Sequence, residues 1–288
     1  MPEGTFMRVY GIDFTSRPRR GKPMTCLACQ LEGDRLCAGT LGTWSSFAPF
    51  EAFLQQPGPW IAGIDFPFGQ SRTFVSNIGW PATWPGYVRQ AESLGRAGFR
   101  QALDAYRQPR PPGDKEHRRA TDCAAGAISP QKLYGTPVGL MFFEGAPRLL
   151  RAGVTIPGVR SGDPDRVCVE AYPGLLARQL IGRRSYKQDI RAQQTPERDH
   201  ARRALLQAIL KGATQPAYGI RVQAPLSLAD DPMGDALDAL LCAIQAAWAW
   251  TQRAADDGQP TSLDPLEGWI ADPHARADAF RAIGPGVS

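Results

Sequence analysis

Four aspartates, Asp13, Asp65, Asp235 and Asp238, carry the clearest chemistry in the chain. Asp13 closes the apolar run Val9-Tyr10-Gly11-Ile12, and Asp65 closes Trp60-Ile61-Ala62-Gly63-Ile64, so each reads as an acid where a buried strand leaves its sheet. In open α/β sheets that edge is where ligands bind. Two carboxylates at the ends of adjacent parallel strands repel unless a cation or a proton is shared between them, and a divalent metal is the simpler neutraliser.

Asp235 and Asp238 are spaced i, i+3 and lie on one helical face. Asp235 sits early enough to gain a few tenths of a kcal/mol from the helix N-terminus, whereas Asp238 lies too far in. Asp238 is hemmed in by Ala236, Leu237, Ala239 and Leu240, and an ionised carboxylate there is costly unless paired or metal-bound. Glu170, among Val167, Cys168, Val169 and Ala171, falls under the same argument: it joins the site, or it meets an arginine or a solvated face. Oxygen ligands without clustered histidine favour Mg²⁺ or Mn²⁺ over zinc, and His117, His200 and His274 are scattered.

Basic residues gather in two stretches. One is Lys115-Glu116-His117-Arg118-Arg119 followed by Lys132, and the other is Arg183-Arg184-Ser185-Tyr186-Lys187. Arg118, Arg119, Lys132 and Lys187 are candidates for holding phosphate, the alternative being solvated loop charge. Trp80, Trp84 and Tyr87 could stack on bases, but large aromatics are more often packing.

The elements that must position these groups follow from pattern. Strands are expected at Arg8 to Phe14, Met24 to Leu31 and Leu36 to Trp44, the last two joined by a Gly33-Asp34 turn. Ser45 and Ser46 offer caps to a short helix through Phe47, Phe50, Phe53 and Leu54. A strand from Trp60 to Asp65 follows, then an irregular segment, 70–164, read as an insertion covering the site and holding a helix from Val88 to Tyr106. A further strand is expected from Arg166 to Ala171, with helices after Tyr172-Pro173, after Thr195-Pro196 and from Met233 to Thr251. Together they make one domain over residues 1–280 with a flexible tail at 281–288.

Bulk properties fit a globular α/β protein. The 288 residues are 43% hydrophobic and 21% charged, and the net charge of +5 permits polyanion binding without demonstrating it. No secretory leader or long apolar run is visible, which places the chain in the cytoplasm rather than in a membrane. Six scattered cysteines do not make a disulfide framework. Cys26-x-x-Cys29 falls on a strand, where residues three apart face opposite sides, so it does not read as a metal site.

Five short motifs in order then suggest a family: Gly11-Ile12-Asp13-Phe14-Thr15, Gly63-Ile64-Asp65-Phe66-Pro67-Phe68-Gly69, Val169-Glu170-Ala171-Tyr172-Pro173, Asp235-Ala236-Leu237-Asp238-Ala239 and Glu267-Gly268-Trp269-Ile270. Together they resemble domain-of-unknown-function family 429, regarded as nucleases of RNase H-like fold. The resemblance implies a mixed five-stranded sheet whose first three strands are antiparallel, with helices on both faces. It also implies that Asp13, Asp65, Asp235 and Asp238 hold two metal ions, which would activate a water and stabilise the leaving oxygen of a phosphodiester.

The expectation is therefore a Mg²⁺- or Mn²⁺-dependent nuclease or phosphodiesterase acting on RNA or DNA, with Glu170 a possible fifth acid. Two other readings stand beside it. One is a phosphotransferase of the related actin-like ATPase fold, for which Phe14-Thr15-Ser16-Arg17-Pro18 is a poor phosphate loop. The other is a catalytically silent nucleic-acid-binding or interaction module.

Overall fold

The computed structural model describes residues 6–188 and 190–275. Seven strands form one sheet: β1 (Met7–Asp13), β2 (Met24–Glu32), β3 (Arg35–Trp44), β4 (Trp60–Ile64), β5 (Val154–Thr155), β6 (Asp163–Glu170) and β7 (Arg221–Gln223). Their order is β5-β6-β4-β1-β2-β3-β7. β1, β2 and β3 pair antiparallel, and every other pairing is parallel. The sheet is thus two strands wider than expected. Both additions are edge strands, of two and three residues, too short for a period-2 pattern to show.

Ten α-helices accompany the sheet among the described residues. They are α1 (Phe47–Leu54), α2 (Arg72–Asn77), α3 (Trp84–Ser93), α4 (Gly95–Arg107), α5 (Ala120–Ala125), α6 (Val138–Ala152), α7 (Pro173–Ile181), α8 (Pro196–Leu210), α9 (Gln215–Tyr218) and α10 (Asp235–Thr251). None is long and apolar enough to cross a membrane. The single helix expected from Val88 to Tyr106 is two, α3 and α4. Gly95, with φ of +65°, breaks them because its backbone takes the left-handed form that other residues avoid. Trp84 and Tyr87 lie inside α3, and both are buried.

Strand alternation divides the interior into two cores. Val9, Leu27, Ile61, Val167 and Val169 face α7, α8 and α10. Ile12, Met24, Ala62, Ile64 and Cys168 face α1 and the helices of the 70–164 segment. The same alternation puts Cys26 in one core and Cys29 in the other, both as free buried thiols pushed up to about 12 by desolvation. The expected tail lies outside the described residues.

The approach of α10 to the sheet matters most for the site. A Cβ on Gly11 would sit 1.8 Å from the Ala239 carbonyl oxygen, and one on Gly63 would sit 2.2 Å from that of Cys242. Glycine in adjacent positions of β1 and β4 therefore lets the helix backbone rest directly on the two central strands.

Candidate active site

Asp13 is the last residue of β1, and Asp65 follows β4 directly, its amide donating to the Ile12 carbonyl at 3.0 Å. Ile12 pairs with Ile64, so the two aspartates leave the sheet side by side. By alternation both belong with Val9, Gly11, Ile61 and Gly63, on the face that α10 covers. The helix begins at Asp235, two residues later than expected, so Asp235 and Asp238 both occupy the first turn of α10 and Asp238 is not too far in to feel its N-terminus. The Asp231 carboxylate accepts from the Met233 and Ala236 amides at 3.0 and 3.2 Å, which anchors the helix start.

The four acids share a field. Burial raises the Asp13 pKa well above the ordinary carboxylate value, and Asp238, Asp235 and Asp65 raise it further against the pull of Lys187. Asp65 is pushed up to about 7, by burial first and then by Asp238 and Glu170, again opposed by Lys187. Asp235 is pushed up to about 6 by burial, Asp231 and Asp238, with Lys187 and Lys22 opposing.

Asp238 has no exposed side-chain surface, and both of its oxygens are engaged: Oδ1 accepts from the Tyr186 hydroxyl and Oδ2 from the Lys187 ammonium. Burial works against the Lys187 charge, but Asp238, Tyr186, Asp13 and Asp65 more than reverse this and hold its pKa well above the usual lysine value.

Glu170 is placed elsewhere. It shares the parity of Cys168, pairs with Ile64, and so points to the opposite face from Asp13 and Asp65. There it meets Arg119, whose side chain is 1% exposed. Every N–H of that guanidinium is committed: Nε and Nη2 donate to Asp122 at 3.0 and 2.7 Å, Nη1 and Nη2 to Glu170 at 2.7 and 2.5 Å, and Nη1 also to the Glu267 carbonyl at 3.2 Å. The Phe68 amide gives Glu170 a further bond at 2.8 Å, which fixes the turn after Asp65. Arg119 therefore has no donor left for a phosphate.

Arg118 is exposed, and Lys132 stands 5.0 Å from the centre of the Tyr134 ring, outside the acidic group. Of the four basic candidates, Lys187 is the one the structure brings to the acids. Trp84 donates to the Phe68 carbonyl at 2.7 Å and Tyr87 to that of Leu266 at 2.8 Å, so both tie α3 to the core.

A cavity of about 330 Å³ opens beside Asp65 and Lys187. Phe66, Ile128, Val138, Met141 and Tyr172 supply apolar wall, while Arg119, Asp122 and Glu170 also line it. That volume is at the small end of ligand sites, which run from about 300 to 1,000 Å³.

Sequence reasoning passed over two features. Tyr186 holds one oxygen of Asp238, and its place beside Lys187 in the second basic stretch was the available signal. The connection leaving Asp13 also carries Arg17, Arg19 and Arg20, all exposed, closed by paired bonds between Arg19 and Lys22 of 3.1 and 3.0 Å. Four basic residues within six, starting four after a strand-end acid, were visible as a charge cluster.

The donor set of Asp13, Asp65 and Asp235 fits a hard divalent cation, because all three are carboxylates and their crowded negative charge exceeds what Lys187 offsets. Among the described residues no three His, Cys, Asp or Glu side chains stand in metal-holding geometry. Asp238 fits less well, since its oxygens are already taken.

A family model described as "Protein of unknown function (DUF429)" matches residues 11–261. No curated protein and no solved structure matches the chain. The span runs from the second half of β1 past α10 and holds Asp13, Asp65, Glu170, Asp235 and Asp238, and the chain belongs to the DUF429 family.

Proposed function

We propose that the protein is a divalent-metal-dependent phosphodiester hydrolase of the nuclease class, built on an RNase H-like core and working in the cytoplasm on RNA or DNA. One observation carries this reading: Asp13, Asp65 and Asp235 come from three separate elements to one strand-end edge, and their charge is left uncompensated. The run β3-β2-β1-β4-β6, antiparallel through the first three strands and parallel beyond, supports the fold assignment, with β5 and β7 as edge additions.

Asp13, Asp65 and Asp235 would hold Mg²⁺ or Mn²⁺, which supplies Lewis acidity toward a phosphoryl oxygen and lowers the pKa of a bound water. Asp13 would be shared most widely within the group, since all three other acids act on it. Lys187 lines the cavity with Asp65 and keeps a positive charge there, which a phosphate bound beside Asp65 would meet. Arg17, Arg19 and Arg20 offer exposed charge for a backbone leading up to the site. The apolar wall excludes water from one side of the bound group.

The test is cleavage of RNA, single-stranded DNA and branched DNA by the full chain with Mn²⁺ or Mg²⁺. Asp13→Asn should lower the rate at least about 100-fold while keeping the circular dichroism spectrum. Failure to cleave any of the three substrates in the presence of either metal overturns the proposal.

A further inference from the structure

Lys187 is set in place by more than its bond to Asp238. The residue before it, Tyr186, offers its backbone carbonyl to the buried Arg202 guanidinium at 3.1 Å. The residue after it, Gln188, donates its amide to the Pro232 carbonyl at 3.4 Å. Gly234, at the start of α10, has φ of +78°, and a Cβ there would lie 2.8 Å from the Lys187 Cβ. The lysine backbone is thus pinned to α8 and to the approach of α10 from both sides. Its ammonium is delivered to Asp238 although the side chain as a whole is 43% exposed.

The position has a consequence for metal binding. On the metal-dependent reading, Asp13, Asp65 and Asp235 would hold the first ion. A second ion needs at least one more carboxylate, and within the group that means Asp238. Its two oxygens are filled by Tyr186 and Lys187, and it has no exposed surface from which an ion could enter beside them. The lysine already feels Asp13 and Asp65 in addition to Asp238, which is the company a second ion would keep.

Resting on the metal-dependent reading above, we propose that Lys187 is a resident cation in the seat of a second metal ion, so that the centre takes one divalent ion per chain. The two-ion expectation attached to the family resemblance is replaced by one ion and one ammonium. Lys187 then carries fixed positive charge where the outgoing or non-bridging oxygen of a phosphodiester needs it, and it does so at any metal concentration.

The test counts ions. Mn²⁺ alone is titrated into the full chain, with free Mn²⁺ read by electron paramagnetic resonance and heat by calorimetry, for the native protein, Lys187→Met and Lys187→Arg. One equivalent is expected for the native chain and for Lys187→Arg, and two for Lys187→Met. Two equivalents in the native chain, or one in folded Lys187→Met, overturn the resident-cation proposal and leave the metal-dependent reading standing. No binding by the native chain overturns both. Should Lys187→Met fail to fold, the native count still decides, because two equivalents there are incompatible with an occupied seat.

Discussion

Two clusters of buried charge lie one strand apart at the same end of the sheet, and they are built on opposite principles. At the end of β6, Glu170 and Asp122 enclose Arg119 so fully that every guanidinium N–H has a carboxylate or carbonyl partner. At the ends of β1 and β4, Asp13, Asp65 and Asp235 crowd together near the Lys187 ammonium, which is already bonded to Asp238, with Lys22 acting on Asp235 as well. The first is closed, two carboxylates sharing one guanidinium whose every N–H is used, although burial still raises the Glu170 pKa; it joins the 70–164 segment to β6 and to the Glu267 backbone. The second is left in deficit. Burial of an acid does not by itself mark a reactive centre, since Glu170 and Asp238 are both buried and both paired. A shortfall of positive charge is the more informative sign.

The sharpest way to break this contrast is to remove the balancing charge from the closed cluster. Arg119→Met leaves two buried carboxylates without a counter-charge, and removing one member of a buried pair costs about 3–5 kcal/mol. The expected result is a fall in melting temperature of roughly 10 °C for a chain of this size. Asp65→Asn, which relieves crowding, should raise stability at pH 7.5 in metal-free buffer. If Arg119→Met unfolds within about 1 kcal/mol of the native chain, the pair is not the fastener described.

A second difference is what holds each cluster together. The Arg119 group is held by its own bonds, whereas the open group is forced together by backbone packing through Gly11 and Gly63. Gly11→Ala must displace α10, because the added carbon would fall 1.8 Å from the Ala239 oxygen and 2.5 Å from the Ala243 nitrogen. Overpacking of this kind costs about 1–3 kcal/mol. It should also weaken Mn²⁺ binding by moving Asp235 away from Asp13. Gly39→Ala serves as a control, since its Cβ would meet only the Ala28 carbonyl, at 3.0 Å, away from α10. Unchanged Mn²⁺ affinity in Gly11→Ala would show that helix position does not set the site.

The sequence displayed one cluster better than the other, for a physical reason. Asp13 and Asp65 terminate runs whose apolar character is continuous, and their shared parity with Gly11 and Gly63 follows from the period of two. Asp235 and Asp238 were legible from helical spacing. Glu170 was drawn toward the same group by a desolvation argument that ignored parity. Val167 and Val169 face α10, so Glu170 had to face the other way with Cys168. Its partner Arg119 lies 51 positions earlier, in a segment without strong periodicity, and no local pattern announces that meeting. Edge strands β5 and β7 escaped notice because two or three residues carry no period at all.

The smallest effect expected is also the most direct reading of the charge deficit, through the pH dependence of stability without metal. Unfolded aspartate releases its proton near pH 4. In the folded chain burial and neighbouring acids push Asp65 up to about 7 and Asp235 up to about 6. Between these limits the folded state keeps protons that the unfolded state has lost. Stability is therefore greatest at the acid side of the window and declines as pH rises through the folded values. A loss on the order of 2 kcal/mol between pH 5 and pH 8 is expected from urea denaturation of the metal-free chain. Asp65→Asn should shrink that slope, and millimolar Mn²⁺ should flatten it, because an ion binds the ionised carboxylates and replaces their shared protons. Glu170, whose pKa burial also raises, has its oxygens taken by Arg119 and the Phe68 amide, so the slope that survives added metal belongs to it and to other groups outside the open centre. A metal-free profile that is already flat from pH 5 to pH 8 would mean that Asp13, Asp65 and Asp235 are not short of positive charge, and the contrast between the two clusters would fail at its root.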